Sequence, residues 1–220
     1  NEVVRQWPAY RVLVVVAEGL DPARFSGALA PDPLASAEAF VREQGETDWT
    51  AHPHIAEWMA AYAAFGARPK RTSPSVLALI KRAGGGLPRI DPVTDLYNAI
   101  SVSHVLPIGG ENLAAYVSAP RLEIAQGGEP FDTRESGAPV VDVALPGEVI
   151  WRDNAGVTCR RWNWRQCVRT RIDGETRTAI FLLEALGAMP DAALLAAGED
   201  LAAGLRRLAP GVALGQRLVP

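Results

Sequence analysis

The order of periodic patterns along the chain is the feature that most limits its fold. Apolar residues recur at helical spacing mainly before residue 105, whereas short strand-like runs dominate after residue 120. We predict helices at residues 32–44, 53–65, 73–84, 91–104 and 191–208, and strands at residues 12–16, 122–125, 140–143, 148–152, 157–172 and 178–183. Helices segregated from strands indicate α+β packing rather than alternating βαβ units.

Helix boundaries are marked by residues suited to the ends of helices. Asp32 and Asp91 each precede a proline, which is typical of an N-cap followed by proline at the first helical position. Gly66 follows the second predicted helix and supplies a C-terminal stop. No repeat or linker interrupts this pattern, so we expect one domain over residues 1–220.

The overall charge limits the classes of partner. The 220 residues include 25 Asp and Glu against 22 Lys and Arg, giving a net charge of −3. This value argues against a protein that coats nucleic acid, but it is compatible with a local patch for one RNA end. No apolar run is long enough for a bilayer and no signal peptide is recognisable, so we expect a cytoplasmic protein.

Cysteine and histidine usage predicts neither a disulfide nor a metal. Cys159 and Cys167, if on one strand, are roughly 26 Å apart and cannot pair. Free thiols are typical of a reducing compartment. His52 and His54 have too few companions for a metal site, so no metal or cofactor is expected.

Residues 160–171 contain five arginines and two tryptophans, with no acidic residue between Asp153 and Asp173. In an extended strand, Trp162 and Trp164 face one side, while Arg161, Asn163 and Arg165 face the other. Guanidinium groups fork onto phosphates and indoles stack on bases, so the segment fits an anionic ligand with a base. Two other interpretations stay open: a half-buried strand with solvated arginines, or arginines neutralised by acids such as Asp142 and Glu148.

Two further segments carry polar groups at suggestive spacing. Thr94, Asn98 and Ser101 lie on one stripe of the helix at 91–104, which suits a hydroxyl, an amine or a water but also a solvent-facing edge. Gly109 and Gly110 follow in a predicted loop, where their N–H groups can donate to an oxyanion or simply form a turn. A second basic cluster comprises Lys70, Arg71, Lys81 and Arg82.

Several motifs together resemble one family. Residues 90–98 read IDPVTDLYN, which is similar to the start of the B3/B4 editing domain of the bacterial phenylalanyl-tRNA synthetase β subunit. Residues 69–79, 106–110, 147–150 and 160–165 resemble freestanding B3/B4 proteins in the same order, so the likeness covers about residues 55–187. The resemblance implies a B3/B4-type layered β-sandwich with flanking helices, concentrated in the N-terminal half and at the C-terminus.

The resemblance also implies a function. The synthetase domain hydrolyses the ester of wrongly charged tRNA, so we expect deacylation of an aminoacyl-tRNA in trans, with the tRNA acceptor end as partner. Asn98 would hold the hydrolytic water, and His104 would substitute for the family histidine, whose position is Gly109 here. The alternative is a module that binds an aminoacyl-adenosine, amino acid or RNA end without turnover.

The remaining expected roles concern the substrate. Arg161 and Arg165 would hold terminal phosphates, and Trp162 or Trp164 would stack the terminal adenine unless both tryptophans belong to the core. Glu129 would bind the α-ammonium group of the amino acid. The other residues expected to bind substrate are Asn163, Thr94 and Ser101.

Overall fold

A computed structural model describes residues 2–25, 27, 29–68 and 71–220. The described residues form helices α1 (Glu2–Gln6), α2 (Pro33–Glu43), α3 (Pro53–Ala64), α4 (Ser75–Ala83), α5 (Pro92–His104) and α6 (Asp191–Leu208). They form strands β1 (Arg11–Glu18), β2 (Ile108–Asn112), β3 (Arg121–Ile124), β4 (Pro130–Glu135), β5 (Ala138–Val143), β6 (Val149–Arg152), β7 (Val157–Arg160), β8 (Arg165–Gln166), β9 (Thr178–Ala185) and β10 (Ala213–Val219). The predicted α+β class is confirmed, with helices mainly in the N-terminal half and one near the C-terminus.

Two four-stranded antiparallel sheets form the centre of the fold. The first has the order β10-β1-β9-β2 and the second has the order β3-β6-β7-β8. Strands β4 and β5 form a separate hairpin. The central strand β1 pairs along its whole length with β9, from Arg11 opposite Ala185 to Glu18 opposite Thr178. The predicted buried strand at 12–16 is therefore confirmed.

The central strands β1 and β9 of the first sheet are buried on both faces, which explains their nearly continuous apolar sequences. On one face, Leu13, Phe181 and Leu183 pack with apolar residues of α5 and α6. On the other face, Val12 and Leu182 pack with residues of α3 and of the second sheet. The resulting order of layers is helix, sheet, sheet, with α3 at one side, which agrees with the expected sandwich.

The helix boundaries agree with the caps predicted from sequence. The Asp32 carboxylate accepts hydrogen bonds from the Leu34 and Ala35 N–H groups, and Asp91 does the same for Val93 and Thr94. These caps satisfy N–H groups that a helix start leaves without partners. No helix in the described part of the chain has both the length and the apolar character needed to cross a membrane.

The predicted strand at 157–172 is wrong over most of its length. The chain leaves β7 after Arg160, turns through residues 161–164 and pairs again only at β8. Arg161 and Trp162 have φ angles of 47° and 67°, the left-handed region that ends strand alternation. The face assignment of tryptophans and arginines therefore fails beyond Arg160.

The turn is left-handed because it inserts Trp162 into the core. The Trp162 ring is fully buried, with ring centroids 4.9 Å from Trp7, 5.1 Å from Tyr10 and 5.1 Å from Trp58. Left-handed backbone costs about 1–2 kcal/mol per residue, which is less than the gain from burying an indole among aromatic rings. The prediction of a core tryptophan is confirmed for Trp162, whereas Trp164 is half-buried.

We expect Trp162→Ala to lower the free energy of unfolding by about 3–5 kcal/mol, because it leaves a large cavity in this aromatic cluster. Trp164→Ala is the matched control and should cost less than about 2 kcal/mol, since its ring is partly exposed. Urea denaturation of both variants measures the difference. Equal losses would contradict the central role of Trp162.

Candidate functional site

A cavity of about 440 Å³ opens between α4 and α5 on one side and β2, β8, β9 and the 161–164 turn on the other. We call it the Asn98 cavity. The residues used below that line it are Ser75, Arg82, Thr94, Tyr97, Asn98, Gly109, Gly110, Glu111, Asn163, Trp164, Arg165, Gln166, Arg171, Leu182 and Glu184. The helix stripe, the glycine pair and part of the arginine segment thus border one space, which is of a size typical for small-ligand sites.

Helix α5 presents Thr94 and Asn98 to this cavity from successive turns. Within the described residues the Asn98 side chain makes no hydrogen bond, so its amide is available to a ligand or a water. Ser101 shares the stripe in sequence but is fully buried, and its hydroxyl donates to the Leu106 carbonyl at 2.6 Å. The expected substrate contact for Ser101 is therefore not supported, because this hydroxyl holds the end of the helix.

The glycine pair belongs to strand β2 and not to the predicted loop. Gly109 lies opposite Leu182, and the Glu184 N–H donates to the Pro107 carbonyl at 3.0 Å. Because hydrogen-bonded and non-bonded pairs alternate in an antiparallel ladder, the Gly109 N–H points into the sheet and the Gly110 N–H points to its open edge. Gln166 at this edge donates its side-chain N–H to the Gly110 carbonyl at 3.0 Å. Of the two glycines, Gly110 is thus the available donor.

Arginines next to the cavity are largely neutralised by carboxylates. Arg160 is buried and pairs with Glu148 at 2.7 Å and with Asp142. Arg161 also pairs with Glu148, at 3.1 Å. The hypothesis that Asp142 and Glu148 neutralise the segment is confirmed for these two arginines. The expected phosphate contact of Arg161 is not supported, since its guanidinium faces Glu148 and does not line the cavity.

Another ion pair fixes the chain beyond β8. Arg169 donates both terminal nitrogens to the fully buried Asp153, at 2.8 and 3.0 Å. Although burial opposes the charged form, these bonds and the backbone N–H groups of Val117 and Ala155 hold the pKa of Asp153 below its usual range. Arg169 is therefore a structural residue.

Three guanidinium groups at the rim of the Asn98 cavity have no such partner. Arg82, Arg165 and Arg171 are exposed, and none forms an ion pair within the described residues. Trp164 also lines the cavity, and its ring centroid lies 6.0 Å from the Arg165 guanidinium carbon and 4.6 Å from that of Arg161. A cationic rim with a half-exposed indole suits a phosphate and a base. Of the second basic cluster, Arg82 is at this rim, whereas Lys70 lies outside the described residues.

Two other expected site residues lie away from the cavity. His104 binds Asp200 of α6 at 2.7 Å and does not line the Asn98 cavity, so its expected catalytic role is not supported there. Glu129 accepts hydrogen bonds from the Gln126 and Gly127 N–H groups at 2.7 and 3.0 Å. It borders a different groove, of about 630 Å³, between the two sheets and α1. The expected role of Glu129 in ammonium binding is thus not supported at the Asn98 cavity.

Sequence reasoning missed two buried carboxylates in the cavity wall, Glu111 and Glu184. Burial raises the pKa of Glu184 to about 7, against the opposing effect of hydrogen bonds from Trp151, Tyr10 and Asn163. Burial also raises the pKa of Glu111. The available signal was an acidic residue within the apolar run of β9, since carboxylates are rarely buried without a reason.

The cysteines are free, but the expectation that they lie far apart on one strand is wrong. Cys159 lies opposite Gln166, so Cys167 is on the neighbouring segment and not far along one strand. Both thiols are buried, and burial raises the pKa of Cys167 to about 11 and that of Cys159 well above its usual value. They are therefore protonated and unreactive. The described residues contain no group of three or more His, Cys, Asp or Glu placed to hold a metal ion.

The chain was compared with known proteins. The family model described as the B3/4 domain matches residues 57–190, which is more than half of the chain. The matched region contains all the lining residues of the Asn98 cavity named above. No curated protein matches the chain.

We expect an added methyl group to change stability differently at the two glycines of β2. A Cβ at Gly110 would lie 2.6 Å from the Tyr97 ring, so Gly110→Ala should destabilise the protein by about 1–3 kcal/mol. A Cβ at Gly109 meets only the Gln166 side-chain nitrogen at 3.4 Å, so Gly109→Ala should be nearly neutral. Urea denaturation checks this, and a larger loss for Gly109→Ala would contradict the assigned faces.

The raised pKa of Glu184 predicts a pH-dependent stability. The folded state binds the proton of the Glu184 carboxyl group more tightly than the unfolded state does. The contribution of Glu184 to the free energy of unfolding therefore falls as the pH rises from about 5 to 8. Over that interval the free energy of unfolding of the wild type should fall by about 3 kcal/mol relative to that of Glu184→Gln, whose side chain does not titrate. Chemical denaturation at several pH values measures this, and parallel pH profiles would refute the assignment.

Proposed function

Because the chain belongs to the B3/4 domain family, which relates it to the phenylalanyl-tRNA synthetase β subunit, we propose that it hydrolyses the ester of a mischarged aminoacyl-tRNA in trans. The observation that carries the proposal is the convergence on one cavity of an unpartnered amide, an open strand edge and a cationic rim. These are the groups needed for a water, a developing oxyanion and a phosphate.

The rim supports an RNA acceptor end as the anionic part of the ligand. Arg82, Arg165 and Arg171 are free of carboxylate partners in the described residues, whereas the arginines behind the wall are paired. Trp164 offers a half-exposed ring for the terminal base. Because only a few cations are involved, the protein would bind one end of the tRNA and not its whole length.

The reaction itself requires little beyond positioning. An aminoacyl ester is already activated, so an oriented water and a donor for the carbonyl oxygen are sufficient. In the proposed mechanism the Asn98 amide holds the water and the Gly110 N–H donates to the oxygen that becomes negative. The neighbouring ribose hydroxyl of the substrate relays the proton to the leaving oxygen. No covalent intermediate is needed.

One observation favours a second candidate function, which is binding without turnover. No histidine lines the Asn98 cavity among the described residues, and the resemblance implies that Gly109 stands at the position of the family histidine. A module of this kind would hold an aminoacyl-adenosine, an amino acid or an RNA end. The two functions differ only in whether the ester is cleaved.

The test is a deacylation assay with tRNA charged in turn with each amino acid. Loss of the ester on one or a few of these substrates, above the rate in buffer, is the expected result. Binding of non-hydrolysable aminoacyl-adenosine analogues without ester loss would favour the binding module. If the protein neither binds nor cleaves any substrate of the full panel, both candidate functions are refuted.

The division of roles predicts separable kinetic effects. Asn98→Ala should lower kcat by up to roughly 100-fold, because the water loses its orientation. Arg165→Ala should raise KM. It should also weaken the dependence of KM on salt concentration by the amount expected for the loss of about one phosphate contact. Arg206→Ala, an exposed arginine on α6, is the matched control and should change neither. Identical kinetic effects of the Asn98 and Arg165 variants would contradict this division.

A further inference from the structure

Glu184 occupies the floor of the Asn98 cavity, beside the glycine of β2. Side chains two residues apart on a strand share a face, so Glu184 points to the same side of the sheet as Leu182. Leu182 lies directly opposite Gly109, and all three residues border the cavity. Since Gly109 has no side chain, nothing from β2 covers this part of the floor.

The Glu184 carboxylate is held by three donors from different elements. One oxygen accepts from the Tyr10 hydroxyl at 2.8 Å and from the Trp151 indole N–H at 2.9 Å. The other oxygen accepts from the Asn163 amide at 3.2 Å. These bonds fix the orientation of the carboxylate and leave acceptor capacity on it, since an ionised carboxylate has about four lone-pair positions.

No positive charge accompanies this carboxylate within the described residues. Glu184 forms no ion pair, and the titratable groups that face it are Tyr10, Tyr62 and Cys159. Burial raises the pKa of each of these groups, so all three are neutral at pH 7. A buried carboxylate without a countercharge takes up a proton or a cationic ligand. Its pKa of about 7 is consistent with this balance.

The charge of the cavity therefore changes sign with depth, because arginines lie at the rim and a carboxylate lies at the floor. The aminoacyl ester of a terminal adenosine has the matching polarity, with phosphate at one end and ammonium at the other. We propose that Glu184 binds the free amino group of the aminoacyl ester, so that the protein accepts esters of free amino acids and rejects N-acylated ones. This inference rests on the proposed function of the same cavity.

The other carboxylates are less suited to the amino group. Glu111 accepts hydrogen bonds from the Tyr116 and Thr170 hydroxyls, both at 2.6 Å, and the positive charge of Arg169 already acts on it. Glu129 is occupied by backbone N–H groups and borders another groove. Among the described residues, only Glu184 both lies at the cavity floor and carries a charge that no neighbouring cation compensates.

The experiment uses adenosine 3′-amides of alanine, serine, phenylalanine and tyrosine, each with a free and with an acetylated amino group. Their binding is measured by calorimetry at pH 7.5 with the wild type, Glu184→Gln and Glu111→Gln. The wild type should prefer the free amine by roughly 10-fold or more, as expected for a charge-assisted hydrogen bond. Glu184→Gln should lose this preference and Glu111→Gln should keep it.

A pH series provides a readout that a structural role would not move. Binding of the free amine should fall below pH 7 as Glu184 takes up a proton, and above about pH 8 as the ligand ammonium loses one. Glu184→Gln should lack the acid limb. Tyr10→Phe removes one donor to the charged carboxylate, so it should move the acid limb to higher pH while keeping the buried ring.

The outcomes separate this inference from the proposed function. If the wild type binds both forms equally, or if Glu111→Gln and not Glu184→Gln abolishes the preference, the assignment of Glu184 is overturned and the proposed function stands. If the wild type binds none of the analogues, the assignment of Glu184 is overturned, and the deacylation assay with the full panel of charged tRNAs decides the proposed function. Should Glu184→Gln fail to fold, the wild-type preference and the Tyr10→Phe shift together decide the question.

Discussion

The burial of the Trp162 indole is the interaction on which the candidate site depends. Its backbone N–H donates to the Val149 carbonyl at 2.6 Å, and its ring closes the aromatic cluster between the sheets and α3. The left-handed turn that permits this insertion also redirects the next residues. Asn163, Trp164 and Arg165 face the cavity because the chain cannot continue as a strand after Arg160. The burial of Trp162 in the core thus determines which side chains line the cavity.

Asn163 links this turn to the rest of the cavity wall. Its amide donates to Glu184, and its carbonyl oxygen accepts from the Tyr62 hydroxyl at 2.8 Å and the Ser75 N–H at 3.4 Å. A single side chain therefore connects α3, the start of α4 and β9. Networks of this kind are costly unless every member is satisfied, so they hold one geometry. Asn163 therefore helps to orient the Glu184 carboxylate, and its expected contact with substrate stays a prediction.

The distribution of charge explains how an acidic protein presents a cationic rim. Carboxylates are placed behind the wall, where Glu148, Asp142 and Asp153 neutralise arginines that fix the backbone. Buried ion pairs add little net stability because desolvation offsets their attraction, but breaking one leaves an uncompensated charge. The pairs consequently specify the shape of the wall. Arg82, Arg165 and Arg171, which form no ion pair with the residues that the structure describes, remain at the rim, where solvent lowers the cost of their charge.

Local signals predicted the fold better than the site. The Asp91-Pro92 cap and the apolar run of β1 are set by neighbouring residues, and both are observed. The two glycines of β2 carry no strand signal and favour a loop, and only the pairing with β9 makes this segment a strand. The turn at 161–164 depends on distant aromatic rings. The same holds for Glu184, whose pKa and partners arise from three elements that are remote in sequence.

The resemblance to the synthetase editing domain implies a histidine at the position of Gly109. A side chain at this position would project over the floor from the strand opposite Leu182, toward the space that Glu184 borders. The Gln166 side-chain nitrogen lies 3.4 Å from the position of an added Cβ at Gly109, and the Gly109 backbone is in an ordinary conformation that any residue adopts. The absence of a side chain is therefore not imposed by the backbone. Under the proposed function, the buried Glu184 carboxylate would bind the amino group in this cavity while Asn98 orients the water.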